Sequence, residues 1–384
     1  MISPSSFVDH LRALGYSQYA GVPCSLFTSL INYVIGGPGL DYIGATSEGE
    51  AVGITFGAFL TGRKTVTMCQ NSGLGNMVNP LTSLNYPFRV PTLLIVTWRG
   101  QPEVKDEPQH EQMGRIMPRL LETLEIPWLP FPVSETEIAH TMAQVEASME
   151  QRKRPFALVM QKGSVAPHAL SRRLEPESIK TDLQQDLSAK QNERLTRTAA
   201  IELILDALAG DEAIIATTGK TGRELFTISD RPNHLYVVGG MGTASAIGFG
   251  VAHALPKQPV VVIDGDGAAL MKLGALATIG FYQPSNLLHI VLDNQAHDST
   301  GGQQTASGVV RFAAVAAAAN YRSAFALDRP EDIPEAVRLL RYRPGPSLLH
   351  VKIQPGSPAK LGRPTVAPHE VKERFSQFLR SRTR

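Results

Sequence analysis

Short apolar runs alternate along this chain with longer stretches whose apolar residues recur at helical spacing. In the first half the runs DYIGAT, KTVTMCQ, PTLLIVTW and PFALVMQ read as strands, and in the second EAIIATTG, HLYVVGG, PVVVIDGDG, NLLHIVLDN and SLLHVKIQ do the same. Strands with little polar alternation, separated by helical patterns, favour parallel sheets covered on both faces. Between the halves lies SRRLEPESIKTDLQQDLSAKQNERLT, charge-rich and poor in β-branched residues, which is expected to be a linker, partly helical. The pattern predicts an α/β chain of two doubly wound parallel-sheet domains in series, 1–170 and 197–384, joined by a linker at 171–196.

One segment carries chemistry as well as pattern. VVVIDGDGAALMKLGALATIGF reads as strand, turn and helix, and HIVLDNQAHDSTGG supplies a second strand ending in Asp-Asn. Asp266 and Asn294 then stand at the C-terminal ends of two strands, where open α/β sheets place their ligands. A carboxylate oxygen, an amide oxygen and a backbone carbonyl, taken at Ala296, suit a hard octahedral Mg²⁺ that keeps positions for phosphate oxygens. Gly265 and Gly267 let backbone N–H groups approach a diphosphate, and a helix starting near Ala268 points its positive end at it. Gly-Asp-Gly alone is an ordinary turn. With the second strand it resembles the thiamine diphosphate-binding signature, Asp293 replacing the first of its paired Asn residues and Asn294 kept as the metal ligand.

That resemblance implies a carboxylic acid beside the cofactor's aminopyrimidine, where it protonates N1′ and so activates the ring system. In ATSEGEAVGITFGAFLTG the offsets from Glu48 to Ala51 and Gly57 resemble the family's glutamate motif, with Glu50 as the local rival. A plain first-turn helix acid, favoured by the dipole, is the alternative for Glu48.

Composition removes other classes. A chain of 384 residues is long enough for two or three domains, and a net charge of +2 implies neither a polyanionic partner nor a membrane surface. The two cysteines, Cys24 and Cys69, give no disulfide framework and fit a reducing compartment. MISPSSFVDHLRALG lacks the layout of a signal peptide and no apolar run is long enough to span a bilayer, so a cytoplasmic enzyme is expected.

Further segments narrow the resemblance. GVPCSLFTSLINYVI, SEGEAVG, NSGLGNMVNPLTSL, RGQPEVKDEPQHEQMG, ATTGKTGRELF, GGMGTASAIGFG and LDNQAHDSTGGQQTAS resemble the phosphonopyruvate decarboxylase family, with sulfopyruvate decarboxylase as the sister activity. Gly240, where Ser is common, and Gln304 are departures. The resemblance implies an aminopyrimidine-binding domain followed by a diphosphate-binding domain, with no middle domain. It also implies a homodimer or homotetramer with the cofactor at the subunit interface. The implied reaction is decarboxylation of a small 2-oxo acid with an anionic tail, 3-phosphonopyruvate or 3-sulfopyruvate. A carboligase or oxidase, or a non-catalytic partner of the same fold, are the alternatives.

The same resemblance distributes roles. Met241 is expected beneath the cofactor, with Gly239 and Met241 backbone groups on the pyrimidine edge, and Thr218 and Gly219 on the diphosphate. His110 and His297 are candidate proton relays, since imidazole titrates near neutrality. Asn71 is a candidate for the pyrimidine or the reacting carboxylate, and Ser25 for an oxyanion, beside a structural thiol at Cys24. Lys105, Arg99, Lys220 and Arg223, in glycine-bearing loops after strands, are the candidates for the tail.

Overall fold

The computed structural model describes residues 1–382; Thr383 and Arg384, which end the basic FLRSRTR stretch, lie outside the described residues. The chain divides into two compact units, Met1–Glu175 and the remainder from Pro176. The first holds β1 (Tyr16–Gly21), β2 (Asp41–Gly44), β3 (Lys64–Gln70), β4 (Leu93–Thr97), β5 (Trp128–Pro130) and β6 (Phe156–Met160). They form one six-stranded sheet in the order β2-β1-β3-β4-β6-β5, and every pairing in it is parallel.

Side-chain alternation splits this sheet between two cores. Leu93 and Ile95 of β4 join Phe7, Leu11, Met142 and Val145 in one core. Leu94 and Val96 join Val52, Met77, Met117 and Leu121 in the other. Helices therefore cover both faces, and strands buried twice over need no polar alternation.

The second unit holds β7 (Asp182–Asp186), β8 (Ala213–Ala216), β9 (His234–Tyr236), β10 (Val260–Gly265) and β11 (Leu287–Asp293). After these come β12 (Ala296–His297) and β13 (Gln303–Gln304), a small antiparallel hairpin, then β14 (Ser323–Leu327) and β15 (Ser347–Lys352). The main sheet has seven strands in the order β7-β14-β15-β11-β10-β8-β9. Its pairings are parallel as well. Both sheets reverse direction inside the sheet, the first between β1 and β3 and the second between β10 and β8. Such switch points open a crevice at the strand C-termini.

The stretch expected to be a linker differs from its reading. Residues 182–186 form β7, which pairs with β14 and extends the second sheet, and the compact units meet between Glu175 and Pro176. The helix expected near Ala268 begins at Asp266 and ends at Met271.

One tight approach tests the packing of the second unit. Helix Ala275–Tyr282 lies so close to the turn after helix Phe312–Ala318 that a Cβ on Gly280 would fall on the carbonyl oxygen of Ala319. Gly280→Ala is expected to lower unfolding free energy by about 1–3 kcal/mol, as overpacking does, read as a reduced denaturant midpoint at unchanged slope.

Candidate active site

At the switch point of the second unit, the turn after β10 faces the turn after β8. Gly219 has φ 96° and precedes helix Lys220–Ile228. A Cβ there would meet nothing within 4 Å, and one on Gly265 would meet only Thr221 Oγ1 at 4.0 Å. Thr217 Oγ1 is buried without a partner. Open space before two helix starts, with an unsatisfied hydroxyl beside it, fits an anionic oxygen cluster such as a diphosphate.

Asp266 and Asn294 converge on the same edge. Both are buried, and β10 and β11 are neighbours in register, Gly265 beside Leu292. Asp266 Oδ2 accepts hydrogen bonds from Thr305 Oγ1 and, at 2.9 Å, from Ser307 Oγ. Burial raises the Asp266 pKa; the Thr305 and Ser307 hydroxyls oppose the rise, and the Asp293 carboxylate adds to it. A divalent cation would supply such a group with a counter-charge. Asn294 Nδ2 donates to Asp298 Oδ2 at 2.6 Å, and Asn294 Oδ1 accepts from Ala296 N–H at 3.1 Å. Among the described residues, no group of three or more His, Cys, Asp or Glu side chains could hold a metal. One carboxylate with one amide suits a cation that draws its remaining ligands from phosphate and water.

Asp293, the departure from the paired Asn, points elsewhere. It is fully buried, and its Oδ2 accepts from His350 Nε2 at 2.8 Å and Lys352 Nζ at 2.6 Å. Burial alone would raise its pKa, but these donors bring it down to about 2. One carboxylate oxygen thus belongs to a β11–β15 ion cluster, while Oδ1 lies 2.7 Å from Ser307 Oγ, the hydroxyl that also reaches Asp266.

The surroundings of Met241 and His297 have a clear backbone basis. Gly239, Gly240 and Gly242 all take positive φ around Met241, so the chain turns sharply about this half-buried side chain. A Cβ on Gly242 would press on Ala268 O and Lys272 Cγ, which packs the turn onto helix Asp266–Met271. His297 lies on Gly267, where a Cβ would come within 2.6 Å of Cε1.

In the first unit Glu48 and Glu50 part company. Ser47 caps helix Glu48–Leu60 and accepts from Glu50 N–H, while the buried Glu50 accepts from both N–H and Oγ1 of Thr46. Glu50 therefore closes the helix start. The half-buried Glu48 carboxyl lies over Gly73, where a Cβ would fall on Oε1, and accepts from Asn76 Nδ2 at 2.8 Å. Of the two acids, Glu48 alone is presented at the strand edge. Asn71 is fully buried, and its Nδ2 donates to Arg99 O at 2.7 Å. It ties the ends of β3 and β4 together.

The loops after β1, β4 and β6 enclose an open cleft of about 360 Å³, with Ser25, Trp98, Arg99, Lys105, Asp106 and Lys162 on its walls. Arg99 holds Asp106 in a forked pair, Nε–Oδ2 2.7 Å and Nη2–Oδ1 2.5 Å, and its Nη1 donates to Ser25 Oγ at 3.2 Å. The exposed ammonium groups of Lys105 and Lys162 make no such bond to any described residue. His110 is buried behind the same loop, with Nδ1 3.5 Å from Gln70 Nε2.

Residues 5–117 match the family described as thiamine pyrophosphate enzyme, N-terminal TPP binding domain, and residues 217–351 its C-terminal TPP binding domain. The chain is 45% identical over 379 residues to the phosphonopyruvate decarboxylase of Streptomyces viridochromogenes, covering 99% of this chain and 95% of the relative. The chain belongs to the phosphonopyruvate decarboxylase family of thiamine diphosphate enzymes. The sulfopyruvate decarboxylase of Methanosarcina acetivorans is 30% identical, over 97% of this chain and 96% of that protein. A benzoylformate decarboxylase from Polynucleobacter necessarius shares the fold at TM-score 0.70 and 12% identity, over 92% of this chain and 99% of that one.

Within the family frame, the positions expected from sequence distribute unevenly. Gly265, Asp266, Gly267, Thr218, Gly219, Asn294 and the Ala296 loop lie together, and Ala268 follows within the same helix. Arg223 does not face that edge with its bonded nitrogens, because Nε and Nη2 donate to the carbonyls of Gly362 and Leu361 at 2.8 and 2.6 Å. Asn71 directs its amide nitrogen to backbone while its Oδ1 is buried without a partner, and Arg99 directs most of its fork to Asp106. Lys220 stands at the start of its helix, away from the Lys105 loop in the chain. Asn76 and Lys162 were not singled out by sequence; Lys162 simply follows a strand, and only the β4–β6 pairing brings it to Lys105.

The Arg99–Asp106 pair generates a pH prediction. The guanidinium, with N–H groups of Gly100 and Glu107, holds Asp106 below the usual carboxylate range. A depressed folded pKa contributes stability above the unfolded value of about 3.9, lost as pH falls through the lowered value. Wild type should exceed Asp106→Asn in unfolding free energy at pH 7, and the gap should close below about pH 4. A gap unchanged at pH 3 would remove the pair from the account.

Proposed function

We propose that this chain catalyses the thiamine diphosphate- and Mg²⁺-dependent decarboxylation of 3-phosphonopyruvate to phosphonoacetaldehyde and CO₂, as a cytoplasmic homodimer or homotetramer with the cofactor between subunits. The observation that carries the reading is the near-full-length identity to the Streptomyces enzyme. In support, the acid, the metal edge and a cationic cleft are all present in this chain. Among the described residues no helix is long and apolar enough to cross a membrane.

When bound, thiamine diphosphate supplies the electron sink for the charge left by departing CO₂. Asp266, Asn294 and the Ala296 carbonyl would hold the metal, and the Gly219 and Gly265–Gly267 turns the diphosphate. Glu48, kept in place by Asn76, would hold and exchange a proton at its carboxyl oxygen facing the aminopyrimidine. Lys105 and Lys162 would read the phosphonate tail, while the Arg99–Asp106 pair shapes the loop and sets Ser25. Two free ammonium groups suit a tail with nearly two charges better than one with a single charge. The 3-sulfopyruvate reaction is the second reading, favoured by the Methanosarcina relative.

Steady-state rates on phosphonopyruvate, sulfopyruvate and pyruvate, with aldehyde detection, test the substrate. Phosphonopyruvate should have the highest kcat/KM. Lys105→Ala and Lys162→Ala should each lower the phosphonopyruvate-to-pyruvate ratio of kcat/KM by about ten- to a hundredfold, the worth of a charge-assisted bond. Equal losses on both substrates would make them loop residues, and a preference for sulfopyruvate would change the substrate while keeping the site.

Glu48→Gln should retain most cofactor affinity in calorimetry but lose about 10²–10⁴-fold in kcat. Glu50→Gln should instead lower thermal stability. If their effects were exchanged, the acid would be Glu50.

A further inference from the structure

Asn294 has a symmetry problem as a metal ligand. Its carboxamide presents an oxygen to the cation in one orientation and an NH₂ group in the other, and the two have nearly the same shape. The structure holds the choice from both ends, since Asn294 Oδ1 accepts from Ala296 N–H at 3.1 Å and Nδ2 meets a chain of charges. Asn294 Nδ2 donates to Asp298 Oδ2 at 2.6 Å, and the same oxygen accepts from Arg197 Nη2 at 2.5 Å. Gly356 N–H lies 3.2 Å from both oxygens of Asp298. Arg197, itself buried, donates through Nη1 to Glu224 Oε1 at 2.8 Å and to Ser357 Oγ at 3.2 Å. Thr198 Oγ1 completes Glu224 at 2.8 Å.

The arrangement is directional. An ionised carboxylate accepts only, so Asp298 can face the nitrogen of Asn294 and not its oxygen. The guanidinium holds Asp298 in that place, and Glu224 balances the guanidinium. Arg197 opens helix Arg197–Ala207, Glu224 lies in helix Lys220–Ile228, and Asp298 follows β12 in the hairpin loop. One guanidinium thereby joins the metal loop to the helix that starts at the proposed diphosphate edge.

We propose that Asp298, held by Arg197, is a positioning residue that fixes the Asn294 carboxamide with its oxygen toward the divalent metal. This inference rests on the assignment of Asn294 as a ligand, and the test separates the two. Mn²⁺ affinity is measured by the electron paramagnetic resonance of the free ion, with thiamine diphosphate present, on the full chain. Wild type should bind and Asn294→Ala should bind weakly; failure there overturns the metal site, and the inference with it.

Loss of an outer partner of a metal ligand commonly costs about 10–100-fold in affinity, and Asp298→Ala should fall in that range. Asp298→Asn keeps an acceptor oxygen without the charge and should stay within about threefold of wild type, well short of that loss. The decisive variant is Asn294→Asp in the Asp298→Ala background. A carboxylate offers oxygen in either orientation, so Asn294→Asp should recover the affinity that Asp298→Ala loses. Equal losses in Asp298→Ala and Asp298→Asn would mean that charge alone matters, and no recovery in the double variant would mean general disruption; either overturns the proposal. Should Asp298→Ala fail to fold, Asp298→Ser with and without Asn294→Asp reads the same recovery.

Discussion

Parallel pairing is the constraint on which everything else in this molecule depends. When every strand of a sheet runs the same way, all its C-terminal ends fall on one edge, and loops far apart in sequence become neighbours. In the first unit this puts the residues after β1, β2, β3, β4 and β6 in a row: Ser25, Glu48, Gly73, Arg99 and Lys162. In the second it puts the Gly219 turn beside Gly265 and the Asn294 loop beside Asp266. The switch in strand order leaves room between those loops, and the glycines keep it open. Chemistry is added by side chains, but its location is a property of the backbone.

Buried charge then sets which atoms face that room. Glu50 accepts from Thr46 just ahead of its helix, and Glu48 is left at the edge. Asp293 pairs with His350 and Lys352 inside the sheet, and Asp266 and Asn294 have no cationic side chain among the described residues bonded to them. Taking charges from water is costly unless each has a close partner, so these pairings are strict. In both cases two acidic or polar groups near one another in sequence are sorted by what the core requires of one of them.

Much of this was legible in the chain, for physical reasons. The strands β3, β4, β6, β10, β11 and β15 are buried on both faces and announce themselves as apolar runs. The Gly-Asp-Gly turn with its second strand, and the Glu48 offsets, stand out through their resemblance to the motifs of thiamine diphosphate enzymes. β7 was hidden because an edge strand of sequence DLQQD is largely exposed and carries no apolar signal. β1, with Gln18 in its midst, and the short SAFAL of β14 were hidden for want of a long apolar run. Lys162 and the Arg197 chain depend on contacts across strands and helices that spacing cannot reveal. The carbonyl partners of Arg223 were hidden for the same reason, since they lie far along the chain.

The central claim is that the second unit binds the diphosphate of thiamine diphosphate through a divalent metal held by Asp266 and Asn294. Calorimetric titration of the full chain with thiamine diphosphate, with Mg²⁺ and then in excess EDTA, tests it most directly. The account predicts saturable binding with Mg²⁺ and its loss in EDTA, with Asp266→Ala behaving as the chelated wild type does. Undiminished cofactor affinity in EDTA would contradict it.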